Sequence, residues 1–200
     1  MGVVVPLRRP APELTDADLV DQALEGSRAA QEALYRRHVG MVTGLAHRLL
    51  GGQDVDDLVQ DAFVAAFSKL DSLRDPQAFA KWVGSIVVRQ ARKRIRRRKL
   101  RRRFFLERSE PLEADRYVSA SAPPDVGAEL RAIHALLDEL PADVRIALVL
   151  RRVEGLTIPE IADRMERSPA TVKRRLQDGE VLLSARLERP LPNSSRGGTS

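Results

Sequence analysis

The sequence predicts an all-α protein made of two small helical domains joined by a flexible linker. Apolar residues recur every three or four positions, no segment alternates like a strand, and aromatic residues form only 4% of the 200 residues. Residues 107–127 break this pattern, since they lack a period and contain three prolines. We therefore expect helical domains at 15–106 and 128–189, with 107–127 as the linker and disorder at 1–14 and 190–200.

Start and stop signals define the first two helices. Thr15 and Asp18 have the spacing of a capping box, in which two side chains accept hydrogen bonds from backbone N–H groups at a helix start. Ser27 is suited to cap a second helix. Gly51 and Gly52 end that helix, because glycine readily adopts the left-handed conformation that follows many helices.

The third helix, expected from Asp54 to Leu70, has the most regular apolar face. That face steps by four residues and contains Leu58, Ala62, Ala66 and Leu70, with Phe63 and Phe67 beside them. Asp75 and Pro76 then interrupt the chain. A fourth helix begins near Gln77 and continues into a strongly basic segment.

Positive charge is concentrated in that segment. The net charge is +6, yet residues 89–103 contain eleven Lys or Arg and no acid, which leaves 23 basic and 28 acidic residues elsewhere. Such a block needs a polyanion or a salt-bridged partner, although a solvated tail is the simpler interpretation. Trp82, just upstream, is suited either to stack on an unpaired base or to pack against Phe63 and Phe67.

The first half of the third helix is acidic, with carboxylates at Asp54, Asp56, Asp57 and Asp61. Acidic side chains near a helix N-terminus complement its dipole and improve solubility. The same face is equally suited to dock on a basic or apolar surface of a partner, and composition does not distinguish these interpretations.

Several chemistries are excluded or disfavoured by composition. The chain has no cysteine, so it contains no disulfide, thiolate metal site or cysteine nucleophile. Its three histidines are scattered, and we find no phosphate-cradling glycine loop or metal-binding cluster. We therefore predict no catalytic residue, no metal and no cofactor. No apolar run approaches the length that crosses a bilayer, which predicts a cytoplasmic protein without membrane insertion.

In the second domain, periodicity predicts helices at Glu129–Leu140, Ala142–Val153, Ile158–Met165 and Pro169–Leu187. Thr157 and Glu160 form a second capping box. Ser168 is suited to cap the last helix, and Pro169 is tolerated in its first turn. Glu166, in the turn between the last two helices, stands where glycine would ease a positive φ. This arrangement is typical of a helix-turn-helix.

The last helix of this pair is suited to the major groove of duplex DNA. The groove admits one helix, and residues near the helix start reach base edges and phosphates. The outward-facing side chains there are Thr171, Lys173, Arg174, Arg175 and Gln177. Asp178 and Glu180 follow, so we expect phosphate contacts to weaken beyond Arg175. An ordinary three-helix bundle with a solvated basic face is the alternative.

Three stretches of the chain carry a resemblance to a known family. They read DVDDLVQDAFVAAFSKLDSL, FAKWVGSIVVRQARKRIRRRK and LLDELPADVRIALVLRRVEGLTIPEIADRMERSPATVKRRL. In this order they resemble the sigma-70 family of RNA polymerase sigma factors, of the small extracytoplasmic-function (ECF) type. The likeness covers about residues 16–189 and includes a polymerase-binding domain and a promoter-reading helix-turn-helix domain.

The resemblance implies roles for residues of the first domain. The β′ clamp helices of the core polymerase would be bound by Asp56, Asp57, Leu58, Gln60, Asp61 and Phe63. The melted minus-ten promoter element would be engaged by Trp82, Arg89, Arg92, Lys93 and Arg96. The loop from Leu73 to Ala78 would lie near a flipped non-template base, whose edge becomes readable once it leaves the stack.

For the second domain, the resemblance implies recognition of the duplex minus-thirty-five element. The residues carried over are Pro169, Ala170, Thr171, Lys173, Arg174, Arg175 and Gln177. The resemblance also implies contacts with the polymerase β subunit, a linker that threads toward the polymerase active-site cleft, and an anti-sigma partner that masks both domains.

Two other functions compete with that of a sigma factor. A free-standing helix-turn-helix regulator would share the DNA-reading helix but would not bind polymerase, so purified core polymerase distinguishes the two. An enzyme such as a nuclease is the third class. The four aspartates of the third helix are the sole candidates for a cation there, and at helical spacing only some of them share a face.

Overall fold

The computed structural model describes residues 14–52, 54–105 and 124–187, and these ranges contain helices and turns but no strand. Residues 107–123 of the predicted linker lie outside the described residues, and only 124–127 of it are described. Residues 1–13 and 190–200 of the predicted disordered segments also lie outside the described residues. The helices are α1 (Asp16–Leu24), α2 (Arg28–Leu50), α3 (Val55–Ser68), α4 (Phe79–Phe105), α5 (Pro124–Glu139), α6 (Ala142–Arg152), α7 (Ile158–Met165) and α8 (Pro169–Leu187). The all-α prediction is confirmed.

Local capping explains the boundaries in the first helical unit, residues 14–105. The Thr15 side chain accepts from the backbone of Asp18, and the Asp18 carboxylate accepts from the backbone of Thr15, as the capping box requires. Ser27 caps α2, and Gly51 ends it with a positive φ of 75°. Between α3 and α4, Asp75 accepts from the backbone N–H of Gln77 at 3.0 Å, at the start of the 3-10 turn Pro76–Ala78.

The second helical unit, residues 124–187, contains the predicted helix-turn-helix. Thr157 and Glu160 form the second capping box. Glu166 has a φ of 54°, so the turn does adopt the left-handed conformation that favours glycine. Ser168 accepts from the backbone N–H of Thr171 at 3.2 Å and begins α8. Local hydrogen bonding therefore sets this geometry, as the sequence predicts.

Helix α5 begins earlier than the sequence predicts. It starts at Pro124 rather than Glu129, so the last residues of the predicted linker are helical. Proline is compatible with the first turn of a helix, because its missing N–H has no intrahelical partner there. Because this stretch has no apolar periodicity, the sequence does not predict that the helix extends into it.

The two helical units pack directly against each other. One buried cluster includes Val88 and Ala91 of α4 together with Ala142 and Ile146 of α6 and Met165 of α7. The sequence pattern predicts two separate domains on a flexible linker, and this direct packing is the main difference between that prediction and the structure. It determines which surface of α4 remains accessible.

Candidate nucleic-acid interface

The basic residues of α4 are divided among three environments by the helical repeat. One set faces the first unit: Arg94 pairs with Asp61, and Arg98 pairs with Asp54 at 3.4 Å. A second set faces the second unit and contains Lys81, Arg89, Arg92, Arg96, Lys99 and Arg102. A third set, Lys93, Arg97, Arg101 and Arg103, is exposed and makes no ion pair with another described residue.

Three of those exposed residues form a stripe. Lys93, Arg97 and Arg101 are four residues apart, so their side chains follow one face of α4. We call these three residues the exposed basic stripe. Of these three residues, the family resemblance implies a role in minus-ten binding only for Lys93. The four-residue spacing in the sequence would have predicted that Arg97 and Arg101 lie on the same face and belong to the same surface.

Arg92 is the most enclosed of the predicted minus-ten residues. It is 9% exposed, and its Nε lies 2.8 Å from the Asp143 carboxylate of α6. It also donates to the backbone oxygen of Met165 at 2.8 Å, at the C-terminal end of α7 where the helix dipole favours a cation. Burial lowers the pKa of the Arg92 guanidinium, and Asp143 opposes this effect. The guanidinium therefore has a carboxylate and a backbone oxygen of the second unit as partners in this conformation.

The other predicted minus-ten residues differ in accessibility. Arg96 is exposed although it shares the Asp143 carboxylate at 2.9 Å, and Arg89 is exposed and lies 3.4 Å from Glu166. Trp82 is partly buried. Its ring centroid lies 6.1 Å from that of Phe79, an aromatic residue of the same helix.

The predicted base-flipping loop, Leu73–Ala78, presents polar groups. Arg74, Asp75 and Gln77 are exposed, whereas Leu73 is half-buried against the core of the first unit. The Asp75 cap fixes the backbone there, so the loop offers exposed polar side chains on a defined turn.

The predicted polymerase-binding residues of α3 lie on two faces. Leu58 and Phe63 are buried in the core, where they contribute packing. Asp56, Asp57, Gln60 and Asp61 are exposed. Gln90 of α4 donates to the backbone oxygen of Asp61 at 3.0 Å, and Arg94 of α4 pairs with the Asp61 carboxylate. Val64, which is 59% exposed and lies one turn beyond Gln60, adds an apolar residue to this face that the sequence did not predict there.

The start of α8 is open to solvent. Pro169, Ala170, Lys173, Arg174 and Gln177 are exposed, and Thr171 and Arg175 are half-buried. Val172 is fully buried and anchors the helix to the core. Glu180 pairs with Arg152 of α6 at 2.8 Å, so this acid is occupied inside the second unit.

Close packing supports α8 from behind. Gly179 faces α6, and a Cβ there would lie 2.7 Å from the Leu148 Cδ1 atom. The glycine therefore permits a helix approach that any side chain would obstruct. This close packing explains why a glycine stands in the middle of α8.

Comparison with known proteins identifies both helical units. The "Sigma-70 region 2" family matches residues 34–101, and the "Sigma-70, region 4" family matches residues 130–183. The ECF RNA polymerase sigma-E factor of Escherichia coli strain K12 is 32% identical over 173 residues, covering 82% of this chain and 90% of that protein. This chain belongs to the ECF group of the sigma-70 family.

Further similarities agree with this assignment. The ECF RNA polymerase sigma-E factor of Haemophilus influenzae is 28% identical over 89% of this chain and 98% of its own length. The solved structure of CnrH in complex with the cytosolic domain of CnrY matches with a TM-score of 0.59 and 29% identity, covering 88% of this chain and 99% of that one. The sigma factor RpoE of Bartonella quintana, solved with the anti-sigma factor NepR, shares the fold with a TM-score of 0.55 and 22% identity, covering 80% of this chain and 98% of that one.

The chain is therefore an RNA polymerase sigma factor, and the alternative of a free-standing regulator is not favoured. Its family consists of transcription initiation factors without catalysis of their own. The described part of the sigma factor contains no group of three or more acidic or histidine side chains placed to hold a metal ion. Within that same part, no helix combines the length and apolarity needed to span a bilayer.

Proposed function

We propose that this sigma factor recruits core RNA polymerase and reads two promoter elements with two different surfaces. The supporting observation is that α4 and the start of α8 carry separate basic surfaces on separate helical units. Single-stranded and duplex DNA differ in shape, and two surfaces allow one chain to bind both forms at once.

The first surface engages the melted minus-ten element. Its members are Trp82, Arg89, Arg92, Lys93 and Arg96, to which we add Arg97 and Arg101 of the exposed basic stripe. Basic side chains track the phosphates of the open strand, and the loop Leu73–Ala78 receives an unstacked base. Because the protein binds only the open strand, binding shifts the promoter toward melting.

The second surface reads the duplex minus-thirty-five element. The exposed start of α8 enters the major groove, where Lys173 and Arg174 bind phosphates or base edges and Gln177 reaches a base. The side chains that line this surface are Pro169, Ala170, Thr171, Lys173, Arg174, Arg175 and Gln177. Duplex contact fixes the register at which the first surface meets the melted element.

Partner binding uses three further surfaces. The acidic face of α3, with Asp56, Asp57 and Gln60, binds the β′ clamp helices, and the second unit contacts the β subunit. An apolar groove of about 560 Å³ lies between α5, α6 and α8, and Ile133 and Val153 at its edge are exposed. An anti-sigma factor is the partner we propose for this groove, because two similar structures contain partner chains, one of them named as an anti-sigma factor.

We further propose that residues 15–106 and 128–189 are the two functional domains, that the sigma factor has no enzymatic activity, and that it acts in the cytoplasm with the polymerase. Run-off transcription with purified core polymerase across a promoter library tests the central proposal. We expect promoter-dependent transcripts only when the sigma factor is added. Core polymerase that neither associates with the chain nor changes its transcripts would reject the proposal, and a metal-dependent nuclease assay tests the absence of catalysis.

A further inference from the structure

A basic cleft lies where the last third of α4 meets the start of α6 and the first turns of α8. Its volume is about 410 Å³. Four of its lining residues are basic and one is acidic. The residues that carry these charges are Arg96, Lys99, Arg103, Arg175 and Asp143. The wall is completed by Leu100, Pro141 and Ala142.

The carboxylates at the cleft do not neutralise its positive charge. Asp143 already lies between two guanidinium groups, 2.8 Å from that of Arg92 and 2.9 Å from that of Arg96. Asp178 pairs with Arg175 at 3.2 Å. Together with the remaining lining residues, this group contains five basic and two acidic side chains. The cleft therefore has an excess of positive charge that a bound anion would offset.

Three of the basic side chains retain the capacity to bind an anion. Arg103 is exposed and makes no ion pair with another described residue. The Nζ atom of Lys99 donates to the backbone oxygen of Glu139 at 3.0 Å, which is an uncharged acceptor. The Nε atom of Arg175 is buried and has no hydrogen-bond partner among the described residues. A buried donor without an acceptor is costly, so an acceptor supplied by a ligand would stabilise the site.

The charge surroundings of Lys99 agree with this excess. Burial lowers the pKa of Lys99, with Asp138 opposing this effect and Arg145 and Arg102 adding to it. A further cation close to these groups is therefore unfavourable, whereas an anion in the cleft would stabilise the charged form of Lys99.

The start of α6 adds backbone donors to the same cleft. Pro141 is the N-cap residue and makes no side-chain cap, and Ala142 and Asp143 of the first turn line the cleft. A helix N-terminus has a partial positive charge and N–H groups without intrahelical partners, so it favours phosphate groups. The Asp143 carboxylate partly complements this dipole, but its two arginine partners outweigh its charge.

We propose that this cleft binds a diphosphate group, such as that of a nucleoside diphosphate or of free pyrophosphate. Linked phosphates present oxygens on opposite sides, which suits cations contributed by two helices. Lys99 and Arg103 belong to α4, and Arg175 belongs to α8. Leu100, which is 57% exposed, provides an apolar contact for a ring attached to the phosphates. The volume of the cleft is also within the range of small-molecule sites.

The first experiment measures binding of sodium pyrophosphate to the full chain by isothermal titration calorimetry at fixed ionic strength. Arg103→Ala removes a cleft cation without breaking an ion pair with a described residue. The matched control is Arg101→Ala, which removes an exposed arginine that does not line the cleft. We expect Arg103→Ala to weaken binding about five- to tenfold, and Arg101→Ala to weaken it less than about twofold.

Two outcomes of this experiment would overturn the proposal. Equal losses in the two variants would assign binding to the general basic surface of α4. A dissociation constant weaker than about 1 mM for the unmodified protein would show that the cleft is not a site for this group. Unchanged circular dichroism in both variants establishes that they are folded.

The second experiment tests the contribution of α8. Arg175→Ala removes the cleft cation of this helix, and Arg174→Ala removes its exposed neighbour, which does not line the cleft. We expect pyrophosphate binding to weaken about fivefold in Arg175→Ala and less than about twofold in Arg174→Ala. Binding that is unchanged in Arg175→Ala would contradict a site formed by two helices.

The third experiment compares ligands at equal ionic strength. We expect pyrophosphate and ADP to bind at least about tenfold more tightly than orthophosphate and AMP, because only the first two present linked phosphates to both helices. Tighter binding of ADP than of pyrophosphate would indicate a nucleotide as the source, and the reverse would indicate free pyrophosphate. Equal binding of all four would overturn the proposal, since a single phosphate would then suffice.

The fourth experiment distinguishes this ligand from a nucleic acid strand. The probe is a fluorescein-labelled mixed-sequence single strand of about 20 nucleotides, a length that exceeds typical single-strand sites. We expect Arg103→Ala to reduce strand affinity no more than Arg101→Ala does. A larger loss in Arg103→Ala would assign the cleft to the strand and overturn the proposal. Pyrophosphate binding is measured without polymerase or promoter, so its absence would leave the proposed function in transcription untouched.

Discussion

The guanidinium of Arg175 lies 3.2 Å from the carboxylate of Asp178, one turn further along α8. The pair joins a residue of the predicted duplex-reading surface to the first acid that follows it. Part of the Arg175 charge is therefore used within the helix. The weaker phosphate contact expected beyond Arg175 stays a prediction, and this ion pair provides a specific way to test it.

Releasing Arg175 should strengthen duplex binding. We expect Asp178→Asn to raise affinity for duplex DNA roughly two- to fivefold. A partly exposed ion pair of this kind contributes about 0.2–1 kcal/mol, and the variant also removes a negative charge that repels DNA phosphates. Fluorescence anisotropy at low salt measures the change. Glu180→Gln is the matched control, since it removes the same charge from a residue that pairs with Arg152 instead. Equal effects of the two variants would assign the gain to net charge alone.

The exposed basic residues of α8 should determine the salt dependence of duplex binding. The double variant Lys173→Ala and Arg174→Ala should weaken binding and lower the magnitude of the log–log salt slope by about one per lost phosphate contact. Titrations at several salt concentrations give the slope. The control removes two exposed basic residues of the first unit, Arg36 and Lys69. An unchanged slope in the α8 variant would show that these side chains do not bind phosphate.

The acidic face of α3 should be required for polymerase binding. Asp57 is exposed and pairs with no described residue, so Asp57→Lys reverses its charge without removing an internal contact. We expect at least about tenfold weaker association with core polymerase in co-purification or anisotropy assays, with unchanged circular dichroism. Asp21→Lys is the control for the charge change. Full association of Asp57→Lys would show that the face is solvated and has no role in docking.

Acidification should lower the stability of the folded protein through two partly buried histidines. Burial lowers the pKa of His134 on α5, Arg145 lowers it further and Asp138 opposes them. Burial also lowers the pKa of His47 on α2, with Asp56 opposing and Arg48 and His134 adding to the effect.

A histidine whose native pKa lies below its unfolded value binds its proton more weakly in the native state. Its contribution to stability is therefore present above the ordinary value of 6.5 and is lost as the pH falls below it. Thermal unfolding between about pH 7.5 and 5.5 should show a falling Tm. His134→Gln should flatten that dependence, whereas a steeper or unchanged dependence would contradict the assignment.

Local interactions made most helix boundaries predictable. Both capping boxes, the Ser27 and Ser168 caps and the left-handed Glu166 depend on residues only a few positions apart, and a single sequence displays such spacings directly. The buried face of α3 followed from its four-residue period. That period placed Leu58 and Phe63 on the apolar side, and both are core residues, whereas the family resemblance names them as polymerase-binding residues.

The contact between the two units could not be predicted by the same means. Asp143 and Arg92 are 51 positions apart, and the acids that meet α4 lie at unrelated positions of α5, α6 and α7. No local period records such a pairing, because tertiary packing alone brings these residues together. The acidic balance outside residues 89–103 was the one general indication that the basic segment had carboxylate partners in the chain.

Permanganate footprinting of a promoter in complex with core polymerase tests the central claim most directly, because it detects unpaired thymines in the minus-ten region. We predict reactive thymines when the wild-type sigma factor is present, and their loss when Lys93 and Arg97 of the exposed basic stripe are replaced by alanine. Reactivity that is the same with core polymerase alone, or that persists in this variant, would contradict the assignment of α4 to the melted strand.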